Sequence, residues 1–390
     1  VKEQIVALAH QYFNEVVAWR RHLHAQPELS NEEVETAKFV SQKLHEFGLE
    51  VKSGIAGNGI VALLKGKNAE NSCVALRADM DALPITEQNQ ITYASKNTGV
   101  MHACGHDVHT ANLLGVAKVL SELKHQVTGT IKFIFQPSEE KIPSGAQAMI
   151  KEGVLQNPSP QAIIGLHVSP EIEVGKLGFH EGKFMASNDE IYLTIIGKGG
   201  HAAQLQQTIN PLFVAAETLL ALQKISDIEK PIVLNFGKIQ GNGATNVVPD
   251  KVEIAGTLRC FDEKIRFELH QQIKNTAYEI AQKHSASCNV NILEGYPVLI
   301  NNPNTTQKTL QLCAEIIGNE NCLSIPQRMG SEDFAYYTHH VPACFFRLGV
   351  GNVSKGITSA IHTPTFDIDE EAFKVSIPAM VYWALNINEH

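Results

Sequence analysis

Several absences narrow this 390-residue chain before any motif is read. It has no Lys/Arg run and no interleaving of basic with aromatic residues, and its net charge is −9, which excludes nucleic acid as an expected partner. Its seven cysteines (73, 104, 260, 288, 313, 322 and 344) are odd in number and scattered, with no C-x-x-C pair. That excludes a disulfide framework and points to a reducing, cytoplasmic setting. No hydrophobic run is long enough for a membrane span, and no signal peptide is expected. H-E-x-x-H, G-x-S-x-G and the P-loop are all missing. Gly57 and Gly59 lack the third glycine and the following helix of a dinucleotide site. No internal repeat or low-complexity segment is visible. What remains is a globular composition, 44% hydrophobic and only 19% charged, long enough for two domains.

The first half alternates strand and helix signals. Apolar runs at Ile60–Leu64, Cys73–Leu76, Ile131–Phe135 and Ala162–Leu166 predict buried strands. Leu113, Val116, Ala117 and Leu120 give Thr110–Lys124 one buried helical stripe. Ala343–Leu348 and Glu370–Leu385 add a strand and a closing helix. This order predicts an α/β layer with a mostly parallel sheet. The middle differs. Glu190–Ile196, Asn210–Ile225, Pro231–Ile239, Lys251–Cys260, Asp262–Ser285 and Asn289–Leu293 follow β-α-β-β-α-β, a ferredoxin-like α+β signature. The expected architecture is a discontinuous domain, residues 1–186 and 297–390, interrupted by an inserted domain at 187–296.

The richest stretch is MHACGHDVH, where His102, Cys104, His106, Asp107 and His109 fall within nine residues. Thiolate, imidazole and carboxylate together suit zinc or a pair of first-row ions. Open α/β sheets gather ligands outside the carboxyl ends of strands, and further metal-competent residues are expected there. Asp79 and Asp81 follow Cys73–Leu76, Glu139 and Glu140 follow Ile131–Phe135, His167 ends Ala162–Leu166, and His362 follows Ala343–Leu348. Two adjacent carboxylates after a buried strand repel one another. Beside metal ions they can divide the work, one binding an ion and the other handling a water's proton. Taken singly, Cys104 reads equally as an inert core thiol, His167 and His362 as hydrogen-bonded histidines, and Glu139-Glu140 as a solvated pair. His22, His24, His45, His125, His339 and His340 read as structural or surface residues.

The motifs RRHLHAQPELSNEE, ALRADMDALPI, MHACGHDVHTANLLGVA, FQPSEE, GLHV, GKGGHAA, GSEDFAYY and IHTPTF occur in order over about residues 16–380. Together they resemble the hippurate hydrolase (N-acyl-L-amino-acid amidohydrolase) branch of the aminoacylase-1/carboxypeptidase G metallopeptidase superfamily. The resemblance implies a phosphorylase/hydrolase-like catalytic domain with a lid or dimerisation insert. It also implies two divalent metal ions, zinc or manganese with cobalt acceptable, held by Cys104, His106, Glu140, His167 and His362. Glu139 is the implied general base, and His201 the lid histidine that reaches the substrate carbonyl. Asn246 and Arg259 resemble contacts to the substrate carboxylate; read alone they are a turn residue before Pro249 and a strand-edge charge. The implied partners are a small N-acyl amino acid and a second copy of the chain, with no membrane. Two other functions compete: a metallo-dipeptidase or carboxypeptidase of the same superfamily, and a non-catalytic metal-binding protein. The chain departs from the family at Gln204-Leu205-Gln206-Gln207, where a Pro-His turn is usual, beside the implied substrate pocket.

Overall fold

The computed structural model describes residues 1–226 and 231–388. Within them the chain forms two compact units. The larger comprises Val1–Gly182, Ile300–Pro326 and Asp333–His390; the smaller comprises Lys183–Leu299 and Gln327–Glu332.

The larger unit is built on an eight-stranded sheet. Its centre is parallel: Cys73–Asp79 lies between Thr130–Gln136 and Ala162–Glu173, and Ala343–Gly351 runs parallel to Ala162–Glu173 on the far side. Gly59–Lys65 and Glu50–Ile55 extend one edge in antiparallel fashion. The short strands Leu177–Phe179 and Cys322–Ser324 complete the other. Every residue of Cys73–Asp79, Thr130–Gln136 and Ala343–Gly351 is buried, as expected of strands covered on both faces. Lys132 tolerates this because its Nζ donates to the carbonyls of Val154, Gln156 and Pro158 at 2.7–2.9 Å. Helices α1 (Lys2–Ala25), α2 (Val34–Glu46) and α3 (His106–Glu122) pack with the C-terminal helix Phe373–Asn386 into this core.

The smaller unit has a four-stranded antiparallel sheet in the order Val233–Gln240, Lys251–Arg259, Asp189–Ile196, Ser287–Glu294. The connecting helices are Pro211–Ser226 and Glu263–Lys283. Its strands alternate buried and open residues, as a sheet covered on one face should. This is the expected β-α-β-β-α-β order.

Two boundaries differ from the sequence reading in ways that bear on the site. The Ala162 strand does not stop at Leu166 but continues to Glu173, because Ala343–Gly351 pairs with it as far as Gly351. His167 therefore sits inside a strand, opposite Arg347. The helix expected at Thr110 begins four residues earlier, at His106. Polar residues hide this turn from an apolar periodicity, yet all of its first five side chains are buried. No helix among the described residues is long and apolar enough to cross a membrane, and the seven cysteines are free thiols.

Candidate metal centre

Two backbone features deliver the first donors. Gly105 caps α3 with φ +84°, and a Cβ there would fall 2.5 Å from Val168 Cγ2. Only glycine fits both the left-handed conformation and the close approach. It turns the chain so that Cys104 and His106 emerge on either side of it. His106 and His109 then share a helical face, their rings 5.3 Å apart.

The structure divides the MHACGHDVH residues among different tasks. Cys104 Sγ lies 3.3 Å from His167 Nε2 and 3.2 Å from His362 Nε2. His362 Nε2 is 3.3 Å from Glu140 Oε1. His106 Nε2 is 3.9 Å from Glu140 Oε1 and 4.0 Å from Glu139 Oε2. Six sequence-picked residues thus converge within the larger unit. Asp107 turns away, to Arg20 and His24, each at 2.8 Å. His109 donates from Nδ1 to Asp79 at 2.6 Å and accepts the Val168 N–H at Nε2, fastening the strand that carries His167. His102 is buried with no hydrogen-bond partner at either ring nitrogen, and burial lowers its pKa to about 4.

Neighbouring groups aim the donors. His106 gives its Nδ1–H to Asp81 at 3.2 Å, and His167 gives its Nδ1–H to the Val168 carbonyl at 2.7 Å. Both rings therefore present the Nε2 lone pair inward, the arrangement that orients imidazole ligands. Asp81 also accepts the Glu140 N–H at 2.9 Å. Glu139 Oε1 accepts the Asp333 N–H at 3.4 Å. Asp333 is itself fixed by Arg77 at 2.6 Å and Gln136 at 2.7 Å.

The donor set fits divalent cations. His106 Nε2 and Glu140 Oε1 are buried without a hydrogen-bond partner, a state that costs free energy unless something binds there. Burial raises the Cys104 thiol well above its ordinary pKa, and the Glu140 and Glu139 carboxylates add to the rise. For His106, burial favours the neutral ring, but Asp79 and Asp81 outweigh it and lift the pKa to about 10. Carboxylates thus surround both donors, an environment that favours a bound cation. Cys104 belongs to two sets of mutually close donor atoms, one with His106 and His167, the other with Glu140 and His362; a third set joins His106, Glu139 and Glu140.

The chain belongs to peptidase family M20/M25/M40. The family's model matches residues 75–386. Among M20 relatives, an N-acyl-L-amino acid amidohydrolase of Geobacillus stearothermophilus is 43% identical over 77% of this chain and 81% of its own. An N-acetyl-L-cysteine deacetylase of Bacillus subtilis is 38% identical over 92% and 84%. A solved Bacillus subtilis structure, described as a dinuclear metal binding peptidase from the M20 family, superimposes with TM-score 0.83 at 33% identity, covering 97% of this chain and 99% of that one. The chain is an amide hydrolase of this M20 group.

The remaining candidates lie in the smaller unit. His201 is exposed on the two-residue strand Gly200–His201, which pairs with Val247–Val248. The Asn246 carbonyl accepts the Ala202 N–H at 3.0 Å, so the ladder sets Asn246 beside His201. Arg259 ends the strand Lys251–Arg259, and its Nη1 donates to the Met329 carbonyl at 3.0 Å. Sequence pattern alone does not mark Arg20, Arg77, Glu33 or Asp333 as part of the site. Each lies inside a quoted motif, but nothing in composition or periodicity ties a distant charge to a ligand.

Proposed function

We propose that the protein hydrolyses the amide bond of N-acyl-L-amino acids, releasing a carboxylate and a free amino acid. The observation that carries this reading is the convergence of thiol, imidazole and carboxylate donors in which His106 Nε2 and Glu140 Oε1 have no hydrogen-bond partner, set beside a second carboxylate, Glu139. The activities named for the relatives support it. Cys104, His106, Glu140, His167 and His362 would hold two divalent cations. The thiolate favours zinc, and the carboxylate and imidazoles also accept manganese or cobalt.

When bound, the cations polarise the scissile carbonyl and lower the pKa of a water molecule. Glu139 takes the water's proton and returns it to the departing nitrogen. Its Oε1 accepts the Asp333 N–H at 3.4 Å, and its Oε2 lies 4.0 Å from His106 Nε2. Asp81 keeps His106 in the tautomer that ligates, and the Val168 carbonyl does the same for His167. By family resemblance, His201 donates a hydrogen bond to the developing oxyanion, and Asn246 and Arg259 meet the substrate carboxylate. The segment 187–296 acts as lid and dimerisation domain. In a homodimer His201 would serve the partner's centre, and mixing His201→Ala with Glu139→Gln subunits would then restore activity. Free, scattered cysteines support a cytoplasmic setting.

A panel of N-acetyl, N-benzoyl and dipeptide substrates tests the reading. Hydrolysis of the acyl amino acids with little dipeptide cleavage is the expected result. Preference for dipeptides would assign the chain to the peptidases of its family instead.

A further inference from the structure

The motif RRHLHAQPELSNEE supplies no donor to the cluster, yet its side chains reach the segments that do. Arg20, fully buried, donates to Asp107 at 2.8 Å, one residue beyond His106, and to Asp367 at 2.9 Å, five beyond His362. Ser30 donates to Asp81 at 2.7 Å. Glu33 has the most consequential contact. Its side chain is buried at the start of α2, and its Oε1 accepts the Ser138 N–H at 2.7 Å. Asn58 holds its other oxygen at 3.1 Å.

Ser138 immediately precedes Glu139 and Glu140, and its φ is +53°. A non-glycine residue rarely adopts that left-handed conformation and keeps it only where its surroundings over-determine it. Here the constraints are the Glu33 carboxylate on its N–H and the Gly145 N–H on its carbonyl at 2.9 Å. This turn decides where the two following carboxylates point. Without the Glu33 oxygen, Ser138 would hold a buried, unpaired N–H and could relax towards an extended conformation, swinging both side chains off the cluster.

We propose that Glu33 is a positioning residue: by accepting the Ser138 N–H it locks the left-handed turn that presents Glu139 and Glu140 to the metal centre. The inference rests on reading Glu139 as base and Glu140 as ligand. It also requires that reach, not charge, is what Glu33 contributes, because a neutral amide oxygen accepts the same hydrogen bond once the Asn58 side chain turns its own oxygen to meet the new NH2 group.

Two variants that change little volume separate these properties. Glu33→Gln keeps the reach and loses the charge; Glu33→Asp keeps the charge and falls one methylene short. For each, the metal dissociation constant is measured by chelator competition, with kcat and KM on an N-acetyl amino acid and the melting temperature of the metal-free protein. Glu33→Asp is expected to weaken metal binding about 10–100-fold, as loss of an outer-sphere partner does, and to lower kcat by a similar factor with KM nearly unchanged. Glu33→Gln is expected to retain most of both. The reverse order, or metal affinity and kcat unchanged in Glu33→Asp, would overturn the proposal, as would losses that merely follow melting temperature. If the wild-type protein cleaves no acyl amino acid, the functional reading fails, but the metal-affinity comparison still decides the role of Glu33.

Discussion

Two clusters of charged and imidazole groups, one in each unit, resemble one another in composition and differ in how completely they are satisfied. In the smaller unit, buried Asp189 accepts from Arg266 Nε at 2.9 Å, from His270 at 2.7 Å and from the Gly295 N–H at 3.2 Å. Every group has its partner within the protein. In the larger unit, Cys104, His106, Glu139, Glu140, His167 and His362 also converge, but at 3.2–4.0 Å, and His106 Nε2 and Glu140 Oε1 have no hydrogen-bond partner. A closed network holds a fold together; an open one, here reaching the surface at His362, keeps unmet hydrogen-bonding capacity for something else. Within the same nine residues Asp107 Oδ2 is held by Arg20 and His24, 2.8 Å from each, whereas His106 turns its Nε2 towards the carboxylates of Glu139 and Glu140.

Substitutions should separate the two kinds of cluster. The largest effect is expected from Glu139→Gln: kcat falls about 10²–10⁴-fold, the usual range for losing a general base, while metal content stays at the wild-type level. Kinetics with metal analysis checks this, and a near-normal kcat would remove Glu139 from that role. Next comes Cys104→Ser, which replaces an anionic soft donor with a neutral hydroxyl. Its metal affinity should drop beyond the ~10–100-fold cost of an outer-sphere change, as measured by chelator competition. Unchanged affinity would make Cys104 a core thiol.

Asp189→Ala should do the opposite, costing about 3 kcal/mol in urea unfolding, because it leaves buried Arg266 only Glu263 and the Gly295 carbonyl as partners, and leaving metal affinity intact. The same cluster has a pH signature. Burial alone would raise the Asp189 pKa, but its bonds to Arg266 and His270 hold it below its ordinary 3.8. A carboxyl depressed on folding stabilises fully above its unfolded pKa and loses that contribution as pH falls through the folded value. The stability gap between wild type and Asp189→Asn should therefore be constant near neutrality and shrink below about pH 4. A gap independent of pH would show that the carboxylate charge contributes nothing.

Sequence reading located the five inner strands of the larger sheet, and the four strands and both helices of the smaller unit, because apolar periodicity reports burial against hydrophobic neighbours; it passed over the edge strands Glu50–Ile55, Leu177–Phe179 and Cys322–Ser324. It failed where burial has another cause. The first turn of α3 is buried by polar contacts, such as Thr110 Oγ1 to the Asp79 carbonyl at 2.7 Å, and so left no apolar stripe. His167 was placed at a strand end because the register with Ala343–Gly351, which carries the strand onward, is a long-range pairing invisible to local pattern. The donors were legible from their chemistry and strand context. Their supports, Asp333 on Glu139 and Glu33 on Ser138, act across 194 and 105 residues, and only the folded chain brings them together.

The central claim is that the open cluster is a two-ion hydrolytic centre. Its most direct test is titration of the metal-stripped chain with zinc or manganese while hydrolysis of an N-acetyl amino acid is followed. The account predicts no turnover at the start and a rise that levels off at two equivalents per chain. Full turnover by demonstrably metal-free protein would contradict it.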